Sequence, residues 1–245
     1  MDSGFYAACT GLVSRMSALD TIANNLANAS TTGFRSRHNV FNSVMASTAD
    51  TMLSPMNRDV NNYGVLSGTQ LDTTQGSLQR TGNELDMAIE GPGYFAVQGA
   101  SGEVYTRSGN FRVSAKGLLV TATGEPVLGT NGPVQVVGTP LSVSADGTVS
   151  VGGAIVGQLK LVEFPAGVKL QSEGSSFLSA PPKSGVPATG SVIQQGMLES
   201  SNVNPIASTV EMISAQREVE TMRRVLTMFD ADVNKIASQD LPHVS

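Results

Sequence analysis

Glu84, Asp86 and Glu90 are the residues of this chain whose types and spacing come closest to chemistry. A pair of carboxylates flanking a sugar bond is what glycoside hydrolysis requires, one as acid and the other as base or nucleophile. Here all three fall beside a β-prone run, and a solvated strand edge accounts for them. The other candidates are thinner. The histidines are His38 and His243, the second in the terminal tail. Cys9 is the single thiol, and it falls on an apolar stripe, where a small packed side chain is the simpler reading. No group of His, Cys and carboxylates has metal-ligand spacing. Gly91-Pro92-Gly93 lacks the third glycine and the following helix of a dinucleotide site. The residues therefore point away from an enzyme, and they imply no cofactor and no metal.

The elements that carry these residues are more informative. Near the start, Phe5, Cys9, Leu12, Met16, Leu19, Ala23 and Leu26 recur in steps of four and three. Near the end, Met212, Ala215, Val219, Met222, Leu226, Phe229, Val233 and Ile236 recur in steps of three and four. A period of 3.5 places one narrow apolar stripe on each helix, the geometry of a coiled-coil seam. The two stripes are expected to pack on each other or on other copies, which makes them the assembly interface. The first helix is predicted over 3–28, stopped by Asn24, Asn25 and Asn28 and by Thr31-Thr32-Gly33, with Gly33 left-handed. The last is predicted from Asn204-Pro205, Asn as cap and Pro at the first helical position, to about Ser238. Ser208 with Glu211 is an alternative start.

Composition bounds the remainder. The chain has 245 residues, 40% hydrophobic and 14% charged, enough for a core. Net charge is −5 with no basic patch, which argues against nucleic acid as a partner. No run of about 18 apolar residues exists, so membrane insertion is not expected. The first residues, MDSGFYAACTGL, have neither a basic segment nor a continuous apolar one and do not read as a conventional secretory signal.

Between the helices, 26 glycines and recurrent turn pairs separate short β-prone runs. These runs are Tyr94–Gln98, Glu103–Thr106, Leu118–Thr121, Val134–Val137, Leu141–Val143 and Ala154–Phe164. Their even spacing predicts an antiparallel sandwich or barrel-like module. The fold class is thus mixed and mainly β: a Gly-rich antiparallel β-domain flanked by N- and C-terminal coiled-coil-type helices. The divisions expected are an N-terminal helix over 1–34, an extended connector over 35–70 with a short helix near Val40–Met45, a β-domain over 71–200 and a C-terminal helix over 201–245.

Asn24-Asn25-Leu26-Ala27-Asn28, followed by Thr31-Thr32-Gly33-Phe34, resembles the N-terminal signature of the bacterial flagellar rod and hook axial proteins. Three further stretches are similar to that family and stand in its order. They are Ile89-Glu90-Gly91-Pro92-Gly93-Tyr94-Phe95-Ala96-Val97, then Tyr105-Thr106-Arg107-Ser108-Gly109-Asn110-Phe111 and its continuation to Gly129, and then Gln195 through Asn204 into Met212-Ile213 and Gln216-Arg217. Val219 departs from the pattern, since relatives often carry an aromatic there. The resemblance implies a structural subunit of the basal-body rod that polymerises helically with copies of itself and with other rod subunits. It also implies a periplasmic rod location, reached through the flagellar type III export apparatus without signal cleavage. The short stretch from Phe34 to Gly76 and the overall length resemble the proximal rather than the distal rod subunits. A rival from another class is a β-module that binds peptidoglycan or carbohydrate on Tyr94, Phe95, Tyr105 and Phe111, with the helices as a stalk.

Overall fold

The computed structural model describes residues 2–43, 64–100, 102–174 and 176–240. Two compact units emerge from the chain's own contacts. One comprises residues 1–26, 37–70 and 204–245, the other residues 27–36 and 71–203.

The first unit holds two helices, α1 (Asp2–Ala27) and α2 (Pro205–Asp240). Asn204 caps α2, its Oδ1 accepting the N–H groups of Ile206 and Ala207 at 3.1 Å each. Pro205 opens the helix where no intrahelical bond is required of it. The alternative start at Ser208 is not used, because Ser208 N–H already bonds Asn204 O inside the helix. The helices run antiparallel. Arg15 Nη1 lies 2.9 Å from Glu218 Oε2, and a Cβ on Gly11 would sit 3.6 Å from Met222 Cε.

On α2 the covered face is the stripe read from the sequence: Ala215 is buried, and Met212, Val219, Met222 and Leu226 are half-buried. On α1 it is not. Ser14 and Asn25 are the buried positions, with Gly11, Ala18 and Thr21 half-buried beside them. That face lies about 150° around the helix from the apolar stripe, close to its opposite side. Cys9, Leu12, Leu19 and Leu26 are therefore only half-covered, Ala23 is exposed, and Met16 is 50% exposed. Small residues at Gly11, Ser14 and Ala18 let a neighbouring helix approach closely, which outweighs the pull of larger apolar side chains elsewhere on α1. The side chains of Phe5, Phe229, Val233 and Ile236 lie outside the described residues.

The described parts of the predicted extended connector are strands. Arg37–Ser43 and Gly64–Leu71 pair as a two-stranded sheet, and the predicted helix near Val40 is a strand instead; Val44 and Met45 lie outside the described residues. Val40 and Phe41 are a β-branched and an aromatic residue, which favour a pleated surface over a helix.

The second unit is antiparallel in every strand pairing described. Its largest sheet has six strands, in spatial order Gln171–Glu173, Phe177–Ser179, Gly102–Thr106, Tyr94–Gly99, Leu161–Glu163 and Val186–Pro187. A three-stranded sheet joins Leu141–Val143, Thr148–Val151 and Ala154–Gln158. The apolar run Ala154–Phe164 is thus divided between two sheets. The chain changes over at Leu159 and Lys160, whose N–H groups bond Gly147 O and Leu128 O. Val134–Val137 forms no named strand, yet Val134 and Val136 are buried and donate to Val127 O and Gly117 O. The core gathers Met87, Ile89, Phe95, Phe111, Leu119, Val127, Val149 and Ile193.

Candidate functional site

The residues weighed for catalysis are spent on structure. Glu84 is exposed, and its Oε2 accepts Leu141 N–H at 3.3 Å. Glu90 is exposed and accepts Gln194 Nε2 at 3.2 Å. Asp86 is buried and forms a bridge with Asn110. Among the described residues, no group of three His, Cys, Asp or Glu could hold a metal ion.

The aromatic platform dissolves as well. Tyr94, Phe95 and Phe111 are buried. Phe95 and Phe111 meet edge to face at 5.1 Å, and Tyr105 meets Phe164 at 4.8 Å. Of the four residues weighed as a sugar platform, only Tyr105 is half exposed, and its ring is edge-on to Phe164.

The family-motif residues instead make structural hydrogen bonds, each within its own unit. Asn25 is buried, and its amide imitates a neighbouring strand: Nδ2 donates to Arg37 O at 2.8 Å, and Oδ1 accepts Arg37 N–H at 3.0 Å. Asn24 Oδ1 accepts Arg37 Nη2 at 3.4 Å. The Asn28 side chain accepts the Thr31 hydroxyl at 3.2 Å in the turn that ends α1. Gly33 has φ +67°, as the sequence predicts, and its N–H bonds Glu199 O at 2.8 Å. Phe34 is buried, and its carbonyl accepts Asn202 N–H at 3.4 Å. Leu26 is half-buried.

The second unit holds a cluster that the sequence does not announce. Glu199 is fully buried between Arg35 and Arg107, themselves almost wholly buried. Arg35 Nη2 is 2.7 Å from Glu199 Oε1, and Arg107 Nη1 is 3.1 Å from Glu199 Oε2. Gly76 N–H donates to Oε1 at 3.0 Å. The remaining guanidinium donors mostly find carbonyls. Arg35 Nη1 bonds Thr74 O, while Arg107 bonds Ile89 O and Gly91 O and stacks 4.8 Å above the Tyr94 ring. Burial holds the Arg107 guanidinium below its ordinary pKa; Glu199 pulls it back up, and Arg35 pushes it further down. Nearby, Asn202 Oδ1 accepts Ser36 N–H at 2.8 Å, and its Nδ2 donates to Asp72 O and Thr74 O. Five separate stretches of chain are thus tied at one place. The only signal in the sequence is charge inside apolar blocks, in a chain where charge is scarce. Arg107 and Glu199 sit within the stretches that carry the resemblance.

This arrangement is a structural clasp within the second unit. Comparison with known proteins gives the same class. The flagella basal body rod protein family matches residues 5–35, the flagellar hook protein FlgE/F/G D1 domain matches 88–151, and the flagellar basal body rod FlgEFG protein C-terminal family matches 194–238. A flagellar basal-body rod protein FlgF of Caulobacter vibrioides is 34% identical, over 92% of this chain and 93% of its own length. FlgF of Mesorhizobium japonicum is 32% identical, over 98% of this chain and all of its own length. FlgG of Agrobacterium fabrum is also 32% identical, over 96% of this chain and 97% of its own length. The chain belongs to the flagellar basal-body rod protein family. The clasp residues fall within or beside the matched segments: Arg35 at the end of the first, Arg107 in the second, Glu199 and Asn202 in the third.

Proposed function

We propose that this chain is a non-enzymatic structural subunit of the proximal rod, built into the flagellar basal body through its helical ends. The observation that carries the reading is the apolar surface left uncovered on those helices. Ile206, Val210, Ile213 and Met228 on α2 and Val13 and Met16 on α1 are exposed, on faces other than the covered ones. A single chain leaves this surface wet, whereas neighbouring copies and other rod subunits can cover it. Contacts that repeat without closing generate a helical tube. The partners are rod subunits and, before assembly, the flagellar type III export apparatus, which delivers the chain to a periplasmic position without cleavage. Neither nucleic acid nor membrane enters this reading. A distal-rod role is the second reading, since relatives named FlgG match as extensively as several named FlgF.

Under this proposal the assembly interface includes Cys9, Leu12, Met16, Leu19 and Leu26 on α1 and the exposed apolar face of α2, while Met212, Val219, Met222 and Leu226 hold together the helical pair that presents them. Val210→Asp tests it. A carboxylate in an apolar contact costs several kcal/mol or must take up a proton. The variant should leave cells non-motile and rods unassembled while the β-rich unit keeps its thermal transition. Normal swimming with this substitution would remove the helical face from the assembly. Separating proximal from distal placement requires labelling the subunit in purified basal bodies and measuring its distance from the membrane ring.

A further inference from the structure

Charge is shared unevenly between the two helices of the first unit. After its first residue α1 carries only Arg15 and Asp20, and Arg15 is paired with Glu218. Asp20 is exposed and, among the described residues, forms no hydrogen bond or ion pair. Over residues 205–228 of α2, Arg217, Arg223 and Arg224 outnumber the remaining carboxylates, Glu211 and Glu220. An uncompensated anion therefore stands on α1 and an uncompensated cation on α2.

Arg217 lines a groove of ≈ 270 Å³ between α1 and α2, together with Arg15, Glu218, Thr221 and Met222. Arg15 and Glu218 neutralise each other at 2.9 Å. The Arg217 side chain is exposed and, among the described residues, has no hydrogen bond or ion pair. One helical turn beyond it come the methyl of Thr221 and the thioether of Met222. Such a groove fits an anion and an apolar group one turn apart. The exposed edge of α1 has that pattern: Met16 is exposed, and Asp20 follows it by four residues on the same face. Within one chain the two sets are out of step. The contacts Arg15–Glu218 and Gly11–Met222 put Arg217 level with Met16, and Asp20 level with Ile213.

We propose that the groove beside Arg217 receives the Met16–Asp20 edge of α1 from a second copy of this chain, with Asp20 on Arg217 and Met16 on Thr221 and Met222. This contact rests on the reading of the chain as a rod subunit and deepens it. Copies that share one orientation set α1 of one antiparallel to α2 of the next, as in the pair within a chain, so the two four-residue spacings match. Neighbours are then displaced by four residues, about 6 Å along the helix axis. Each copy gives an edge and offers a groove, so the contact repeats without closing. The ion pair selects this register, since an exposed pair contributes little energy by itself.

The test exchanges the charges in the full-length chain. Asp20→Arg and Arg217→Asp, each of which sets like charges face to face, should cut swimming at least about fivefold. The double variant should regain more than about half of it, because the opposite charges meet again. Circular dichroism of each purified variant checks that its helices and β-rich unit still fold. A second measurement is independent of the charges. In a Cys9→Ser background, Met16→Cys combined with Thr221→Cys should give disulfide-linked dimers in isolated basal bodies, and neither cysteine should do so alone. Full swimming of either single variant overturns the contact, as does a folded double variant no better than the singles. So does a cysteine pair that leaves the chain monomeric in basal bodies. If these arms fail while Val210→Asp still abolishes assembly, the rod reading stands and this contact alone falls.

Discussion

Glu199→Gln is expected to lower the thermal midpoint of the β-rich unit by about 10 °C, corresponding to a loss of roughly 3–5 kcal/mol. The shape of the side chain is nearly unchanged, so the effect isolates charge and donor pattern. Glu199 Oε2 accepts from Arg107 Nη1, while Oε1 accepts from Gly76 N–H and forms an ion pair with Arg35 Nη2. An amide offers one oxygen and one NH₂, so one arginine would meet a donor where it needs an acceptor. Two buried guanidinium groups would then repel each other with nothing between them. The exposed pair Arg15–Glu218 has a similar distance of 2.9 Å, with both side chains about half exposed. Breaking it with Arg15→Met should cost less than about 1 kcal/mol, since solvent screens such a pair and its side-chain entropy opposes it. Comparable losses in the two variants, measured by denaturant titration, would show that burial of the cluster is not what gives it its energy.

The second large effect is expected at Gly33. Its φ of +67° strains any residue with a Cβ, at about 1–2 kcal/mol. Space adds to this, because an added Cβ would lie 2.4 Å from the Arg107 carbonyl carbon and from Ser108 N. Those are backbone atoms and cannot swing away. Gly33→Ala should therefore displace the segment that carries Arg107 and loosen the clasp. Gly102 is the internal comparison, with φ +133° and nothing within 4 Å of its ideal Cβ. Gly102→Ala should show strain alone. If both variants unfold at the same denaturant concentration, close approach at Gly33 contributes nothing.

These residues differ in how readable they were. Gly33 was legible, because a glycine after an Asn- and Thr-rich helix end is a known stop with a mechanism. So was Asn204, whose partner Pro205 can hardly be anything but a first helical residue. Periodicity found the covered face of α2 at Ala215 and Val219. It misplaced the covered face of α1, because the pattern counts apolar side chains, and the contact there is set by the absence of bulk at Gly11 and Ala18. The strand over Arg37–Ser43 was missed since Asn39 and Asn42 blur any alternation. Glu199 was out of reach for a different reason. Its two arginine partners lie 92 and 164 positions away in the chain, and nothing local distinguishes a buried carboxylate from an exposed one.

The bond from Ser36 N–H to Asn202 Oδ1 spans 166 positions. Without it, bringing Gly11 to Met222 means closing a loop of more than two hundred residues. Once the β-rich unit has folded, the slack that remains is the few dozen residues outside this staple. The entropic cost of closure falls with the logarithm of that length, a saving on the order of 1 kcal/mol. It also imposes an order of events. The residues of the β-rich unit lie between α1 and α2 in the chain, so α1 waits for its mate until that whole unit has been made. A nascent chain that ends inside the β-rich unit carries α1 alone, and its adhesive surface is half built.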